Sequence, residues 1–323
     1  MDNNLVTNWK DRRRVRKKSR LIRASLLLLI GAIGIFVIFQ FTFKKNNPID
    51  IATSAIKGAQ NSQTEDETLK AVVENSLKDT KGTYGIVIKN LRTGENYLAN
   101  EHRIFEAGSL YKLWVMAVVY NQIQSGELQK EQVLSEDIAT LNQEFYIDPE
   151  DAEQTEGAIT LTVGSALTQM ITISHNYAAL LLTQKVKLSQ LAAFLQGGGF
   201  KESVVGVNGA APTVTPFDVA LFLEKLYKGE IASPEYSQEM IDLLKNQKLT
   251  DGLPKYLPGS EQQPVVVANK TGEIGWFKHD GGIIFSGNGD YIVVVMSESN
   301  SPAGAQERIA LLSKAVYDYF NAK

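Results

Sequence analysis

Three short segments of this chain carry side chains that together could transfer an acyl group. Ser109-Leu110-Tyr111-Lys112 sets a hydroxyl and an amine three residues apart, on one face of a helical turn. Ser174-His175-Asn176 offers a second hydroxyl with an amide two residues on. Lys270-Thr271-Gly272 adds a second cation, another hydroxyl and a residue without a side chain, where backbone or ligand can come close. A serine attacks a carbonyl well only when a base takes its proton, and an amine does so when part of it is neutral. Lys112 precedes Leu113-Trp114-Val115-Met116-Ala117-Val118-Val119, a run apolar nearly all round. Such a helix is buried, and a desolvated amine gives up its proton more easily. Ser109 follows Ala107-Gly108 and is expected at the helix start, where unpaired backbone N–H groups concentrate.

None of these segments is decisive alone. Ser-x-x-Lys recurs at Ser54-Ala55-Ile56-Lys57, and Ser-x-Asn at Ser286-Gly287-Asn288. Ser174 or Asn176 would serve as an ordinary helix cap, and Lys270 as an ordinary exit from a strand. Two further clusters read as structural. His279 and Asp280 are adjacent on an expected strand, so their side chains point to opposite faces and favour separate hydrogen bonds over a catalytic pair. Gly197-Gly198-Gly199 lacks a phosphate-loop lysine at the right spacing and reads as a flexible linker between helices.

The elements that must position the three segments follow from hydrophobic pattern. A helix is expected over 69–77, a strand over 84–88, a turn at Arg92-Thr93-Gly94-Glu95 and a second strand around Tyr97. From Ser109 to about Gln247 the pattern is helical, with helices predicted at 109–124, 164–173, 176–185, 188–196, 216–227 and 234–246. Strands return at 265–268, 282–285 and 291–295, the last two joined through Asn288-Gly289, a strong hairpin signal. A helix over 308–320 closes the chain. Strands at both ends and helices between predict an α+β fold: one antiparallel sheet built from both ends, flanked by helices, with an all-α insert lobe.

The 323 residues contain no cysteine, which excludes disulfides, thiolate metal sites and cysteine nucleophiles. Three histidines leave little for a metal site, and neither a metal nor a cofactor is expected. Nine Lys/Arg and two acidic residues precede Ala24, whereas 22 Lys/Arg face 34 Asp/Glu from Asn46 onward. An acidic body does not suit nucleic acid. Residues 24–43 form an uncharged apolar run of the length that spans a bilayer, behind the basic run 12–18. The expected organisation is a basic cytoplasmic tail over 1–23, a transmembrane helix over 24–43, a polar tether over 44–66 and an extracytoplasmic domain over 67–323. Phe41-Thr42-Phe43-Lys44-Lys45 is a poor cleavage site, so an uncleaved anchor is expected over a signal peptide.

Taken in order, with 65 residues from Ser109 to Ser174 and 96 from there to Lys270, the three segments resemble those of the penicillin-recognising serine enzymes. Class A β-lactamases and the related D,D-peptidases are the nearest likeness, over roughly residues 67–323. The resemblance implies that Ser109 is the acylated nucleophile, Lys112 its base and Ser174 the relay to the leaving nitrogen. It implies that Asn176 holds the substrate amide, that Lys270, Thr271 and Gly272 line the substrate-carboxylate side, and that the backbone N–H groups of Ser109 and Glu273 form the oxyanion hole. The substrate would be a β-lactam or a cell-wall peptide.

The chain departs from that family in three places. The glutamate that activates the deacylating water is replaced, in the best counterpart, by Gly206 of Gly206-Val207-Asn208, with Glu202 four residues early. His175 stands where the middle motif usually has aspartate. The body has only Arg92, Arg103 and Arg308, none on the late strands, leaving Lys278 or His279 as substitutes for a carboxylate-binding arginine. Acylation is therefore expected to proceed and deacylation to be slow. A D,D-peptidase and a non-catalytic module that binds antibiotic or cell-wall peptide are the alternatives.

Overall fold

Strands from the two ends of the described chain pair with each other, as the sequence pattern requires. The computed structural model describes residues 68–260 and 263–322. The predicted tail, transmembrane helix and tether lie outside them. Among the described residues no helix is long and apolar enough to cross a membrane.

Helix α1 (Leu69–Leu77) starts at Thr68, whose hydroxyl caps Ala71 N–H. Strands β1 (Thr83–Asn90) and β2 (Asn96–Ala99) form the first hairpin, and the short β3 (Phe105–Glu106) follows. A single 3-10 turn, Gly108–Tyr111, runs into α2 (Lys112–Gln124). The first nine residues of α2, Lys112 to Tyr120, are all buried. Strand β4 (Val133–Asp137), α3 (Ile138–Glu144) and β5 (Ala158–Thr162) come next, with β4 and β5 paired antiparallel. Then come α4 (Val163–Thr172), α5 (Asn176–Val186), α6 (Leu188–Gly198), the short β6 (Thr213–Val214), α7 (Pro216–Tyr227) and α8 (Pro234–Lys245). A small ribbon, β7 (Gly259–Ser260) with β8 (Gln263–Pro264), leads to β9 (Val266–Ile274), β10 (Phe277–Phe285), β11 (Tyr291–Glu298) and α9 (Pro302–Asn321).

The main sheet has the order β2-β1-β11-β10-β9 and is antiparallel throughout. Strand β1 meets β11 over its full length, from Thr83 opposite Glu298 to Asn90 opposite Tyr291. Alternation along β11 explains why its residues 291–297 are buried without a polar face. Val293 and Val295 pack with Leu69, Val73, Ile309 and Leu312 of α1 and α9. Ile292, Val294 and Met296 face the other core, with Val219 of α7 and the helices of the insert.

Four sequence expectations are corrected. The insert is not all-α, because β4 and β5 form a two-stranded ribbon within it; Ile159-Thr160-Leu161-Thr162 is β-branched and alternating, which suits a strand. Gly197 and Gly198 are the last turn of α6 rather than a flexible linker. Gly199 ends that helix in the left-handed conformation, and Phe200 N–H closes back on Leu195 O at 2.9 Å. Phe200 is thereby delivered to the core, with its ring 5.2 Å from that of Trp114. Lys270 does not end a strand but lies in the middle of β9, since β10 pairs with the segment to Ile274. The last helix starts at Pro302, six residues before the expected Arg308, because a first-turn proline is tolerated there.

Candidate active site

The 3-10 turn that carries Ser109 is pressed against strand β9. Gly108 has φ +51°, and a Cβ there would lie 2.6 Å from Glu273 N. Only glycine fits so close an approach. The contact seats the residue before Ser109 directly against the backbone of Glu273; Ser109 and Glu273 carry the expected oxyanion N–H groups. Ser109 itself is half-buried, one turn before Lys112.

Two amines converge on Ser174. Lys112 is fully buried and donates to Ser174 O at 2.6 Å, Ser174 Oγ at 3.1 Å and Asn176 Oδ1 at 2.8 Å. Lys270, also fully buried, donates to the same Ser174 Oγ at 3.1 Å and to Thr271 O at 3.0 Å. Ser174 takes the left-handed conformation, φ +58°, uncommon for a residue with a side chain. The Lys112 bond to its carbonyl helps hold it there.

Two buried ammonium groups cannot share one hydroxyl oxygen cheaply. Desolvation pushes the Lys112 amine well below the usual lysine range, the charge of Lys270 pushes it further, and Glu153 opposes. Desolvation lowers Lys270 to about 8, opposed by Asp280. Lys112 is thus the amine that gives up its proton first.

Asp280 is itself fully buried on the neighbouring strand, where it accepts from Asn269 Nδ2 and Leu253 N, each at 2.8 Å. Burial raises its carboxyl to about 6, so it is ionised at neutral pH and faces Lys270 as a counter-charge. His279 points elsewhere. Ser297 N donates to its Nδ1 at 3.2 Å, which leaves Nε2–H to donate to Glu106 O at 2.9 Å. Burial holds its ring neutral, with a pKa of about 4. The two adjacent residues do not pair, and each serves structure, as their strand positions predict.

The three departures in sequence have structural counterparts. His175, and not Ser174 or Asn176, caps α5: its Nδ1 accepts from Ala178 N at 3.1 Å, the bond an aspartate would make. Gly206 has φ +60°, and a Cβ there would lie 2.3 Å from Ala210 O, so the position admits no side chain. Glu202 points away and pairs with His102 at 2.9 Å. As for a cation at the substrate-carboxylate side, His279 is fully buried and cannot reach a ligand, and Lys278 is paired with Glu273. Arg103 pairs with Glu298, Arg308 donates to Ser76 O and Arg92 lies beside Gly289.

One residue in the site was missed by sequence reasoning. Glu153 Oε1 accepts from Asn176 Nδ2 at 2.6 Å. It sits in an irregular loop 23 residues upstream, with no motif or period to mark it. Among the described residues no group of three or more histidines and carboxylates is placed to hold a metal ion.

A family model described as the beta-lactamase enzyme family matches residues 66–320. None of the curated proteins matches the chain. Among solved structures, a β-lactamase from Sphaerobacter thermophilus superposes with a TM-score of 0.69 at 24% identity, covering 79% of this chain and 97% of its own. A mutant of PBP-A, solved as an acyl-enzyme complex with penicillin G, gives 0.67 at 23%, covering 79% and 96%. A representative of class A β-lactamase from Bacteroides cellulosilyticus gives 0.67 at 22%, covering 79% and 98%. At these identities the structural likeness establishes the α+β fold that all of them share.

Proposed function

The chain belongs to the beta-lactamase enzyme family and is a serine hydrolase, and from that premise we propose that it opens β-lactams or D-Ala-D-Ala-type peptides through an acyl-enzyme on Ser109. The neutral Lys112 amine takes the Ser109 proton as Oγ attacks the substrate carbonyl. The negative charge that develops on the carbonyl oxygen is met by the N–H groups of Ser109 and Glu273. Ser174 Oγ–H delivers a proton to the leaving nitrogen as the C–N bond breaks. Its own proton is restored through the amine of Lys112. Lys270 stays charged and, with Thr271 and Gly272, faces the substrate carboxylate, while Asn176 holds the substrate amide.

The observation that carries this reading is the convergence of two buried amines on one hydroxyl. Breaking the ester needs an activated water, and the position read as its usual activator is Gly206, where no side chain fits. General-base assistance is worth about 10²–10⁴-fold, so the acyl-enzyme is expected to outlive its formation. Labelling wild type and Ser109→Ala with a fluorescent penicillin tests both halves. A Ser109-dependent adduct that fades slowly is expected. Turnover of many equivalents per minute would remove the slow-deacylation half, and absence of any Ser109-dependent adduct would favour a non-catalytic binding module. Release of D-alanine from a peptide ending in D-Ala-D-Ala would make the peptidase role the working one. The apolar run 24–43 supports a membrane anchor with the enzyme outside. Sedimentation of the full chain with membranes, lost on deleting residues 1–43, is the check.

A further inference from the structure

Asn176 is bonded at both ends of its amide. Its Oδ1 takes the Lys112 amine at 2.8 Å, and its Nδ2 donates to Glu153 at 2.6 Å. A substrate amide carbonyl that binds Asn176 needs that same Nδ2. Glu153 therefore holds one of the two N–H donors of that nitrogen and stands beside the one left for the substrate.

The backbone beside Glu153 is anchored by buried groups. Its neighbour Gln154 is pinned through the backbone: Tyr177 Oη–H donates to Gln154 O at 2.7 Å, and Asn142 Nδ2 donates to the same oxygen at 2.8 Å. Tyr177 and Asn142 are both buried, and Tyr177 directly follows Asn176 in α5. The residue beside Glu153 is thus anchored to the helix that presents its partner. Glu153 itself is exposed, open to an incoming ligand. The loop 145–157 carries Asp148, Glu150, Asp151, Glu153 and Glu156 and no Lys or Arg, which fixes the sign of the charge a ligand meets there.

We propose that Glu153 sets substrate preference: the site favours amide substrates whose acyl side chain carries a free ammonium group near the amide carbonyl. When the carbonyl takes the second N–H of Asn176 Nδ2, the exposed Glu153 carboxylate lies beside the substrate's acyl side chain, where an ammonium group pairs with it. A substrate without a cation gains nothing from Glu153. The inference rests on the reading of Ser109 as nucleophile and Asn176 as the amide contact. It adds the chemical class of side chain that the same site selects.

The test compares benzylpenicillin with its α-amino analogue. Second-order acylation constants are read by intact-protein mass spectrometry for wild type, Glu153→Gln and Glu153→Ala. Measurements are made at about pH 6.5, below the usual α-amino pKa of about 7.7–8.0. Relative to benzylpenicillin, the amino analogue is expected to acylate wild type about three- to fivefold better than it acylates either variant, the range of an exposed ion pair. The advantage should shrink in high salt. Equal ratios in all three proteins, each with an adduct on Ser109, would overturn the Glu153 proposal and leave the acyl-enzyme reading standing. No adduct with either penicillin in any of the three would overturn both.

Discussion

The cluster around Ser174 and the loop over 201–212 both adjoin the chain at Ser109, and they are built in opposite ways. At Ser174 the polar groups are dense and paired: two fully buried amines, one hydroxyl and one amide within hydrogen-bond reach. The 201–212 loop is tied to the same region by Ala107 N donating to Pro212 O at 2.9 Å. Yet it offers Gly206, Asn208 and Gly209 in left-handed conformations and leaves Val204 and Val207 exposed. Its one carboxylate, Glu202, is turned to His102. Under the proposed mechanism the difference separates two half-reactions: the two amines assigned to acylation are in place and buried, and the loop turns its one carboxylate away.

The largest effects should come from the first region. Ser109→Ala is expected to abolish the covalent penicillin adduct outright, seen as loss of the mass increment. Lys112→Ala should lower the acylation rate by about 10²–10⁴-fold, the usual worth of a positioned base. A full rate or a stable adduct on a second residue in either variant would break the assignment. The pH profile sharpens it. Acylation requires Lys112 neutral, so the rate should climb on the acid side at a pH far below the ordinary lysine value. It requires Lys270 charged, so the rate should fall again above about 8, where that amine loses its proton. Lys270→Ala should remove the alkaline limb along with much of the rate. An alkaline limb that persists in that variant would assign it to another group.

The second region invites the opposite experiment, which is to restore a carboxylate. Gly206→Glu should not speed loss of the adduct. A Cβ at that position meets Ala210 O at 2.3 Å and would adopt a φ of +60°. Such strain costs about 1–3 kcal/mol, so a lower Tm with unchanged adduct lifetime is the expected result. A shortened lifetime at unchanged Tm would show that the loop repacks readily and that a missing carboxylate alone limits turnover.

How far the sequence reached differs between the same two regions. Lys112 was legible because a lysine at the head of a helix apolar all round must be buried, and burial fixes the direction of its pKa. The central strands were legible by their β-branched runs. The β4–β5 ribbon was not, since Val133-Leu134-Ser135-Glu136-Asp137 is short and charged and gains its strand partner only 25 residues away, at Thr160. Nor was Glu153, which reaches Asn176 only because buried Tyr177 and Asn142 hold the backbone of the next residue. Loop positions of this kind depend on tertiary contacts that leave no periodic trace. Gly206 stood out only through the resemblance, as the position read for a glutamate, and the sequence could not tell that the backbone there would refuse a side chain.

The smallest expected effect concerns the residue that joins the motif to its helix. His175 departs from the aspartate of related enzymes, yet its Nδ1 accepts the Ala178 N–H at 3.1 Å and so performs the same capping. Loss of such a cap costs about 1 kcal/mol, which for a domain of this size lowers Tm by about 2–4 °C. His175→Ala should show that loss, and His175→Asp should show little or none, because a carboxylate satisfies the same donor and favours the positive end of α5. The two variants also separate a cap from a catalytic group. If His175 only holds Asn176 at the head of α5, His175→Ala keeps the pH profile of acylation and changes its rate by no more than a few-fold, whereas His175→Asp adds a negative charge beside Lys112 and moves the acid limb to higher pH. A shifted acid limb in His175→Ala would mean that the imidazole had been setting the electrostatics of the amine as well as the start of the helix.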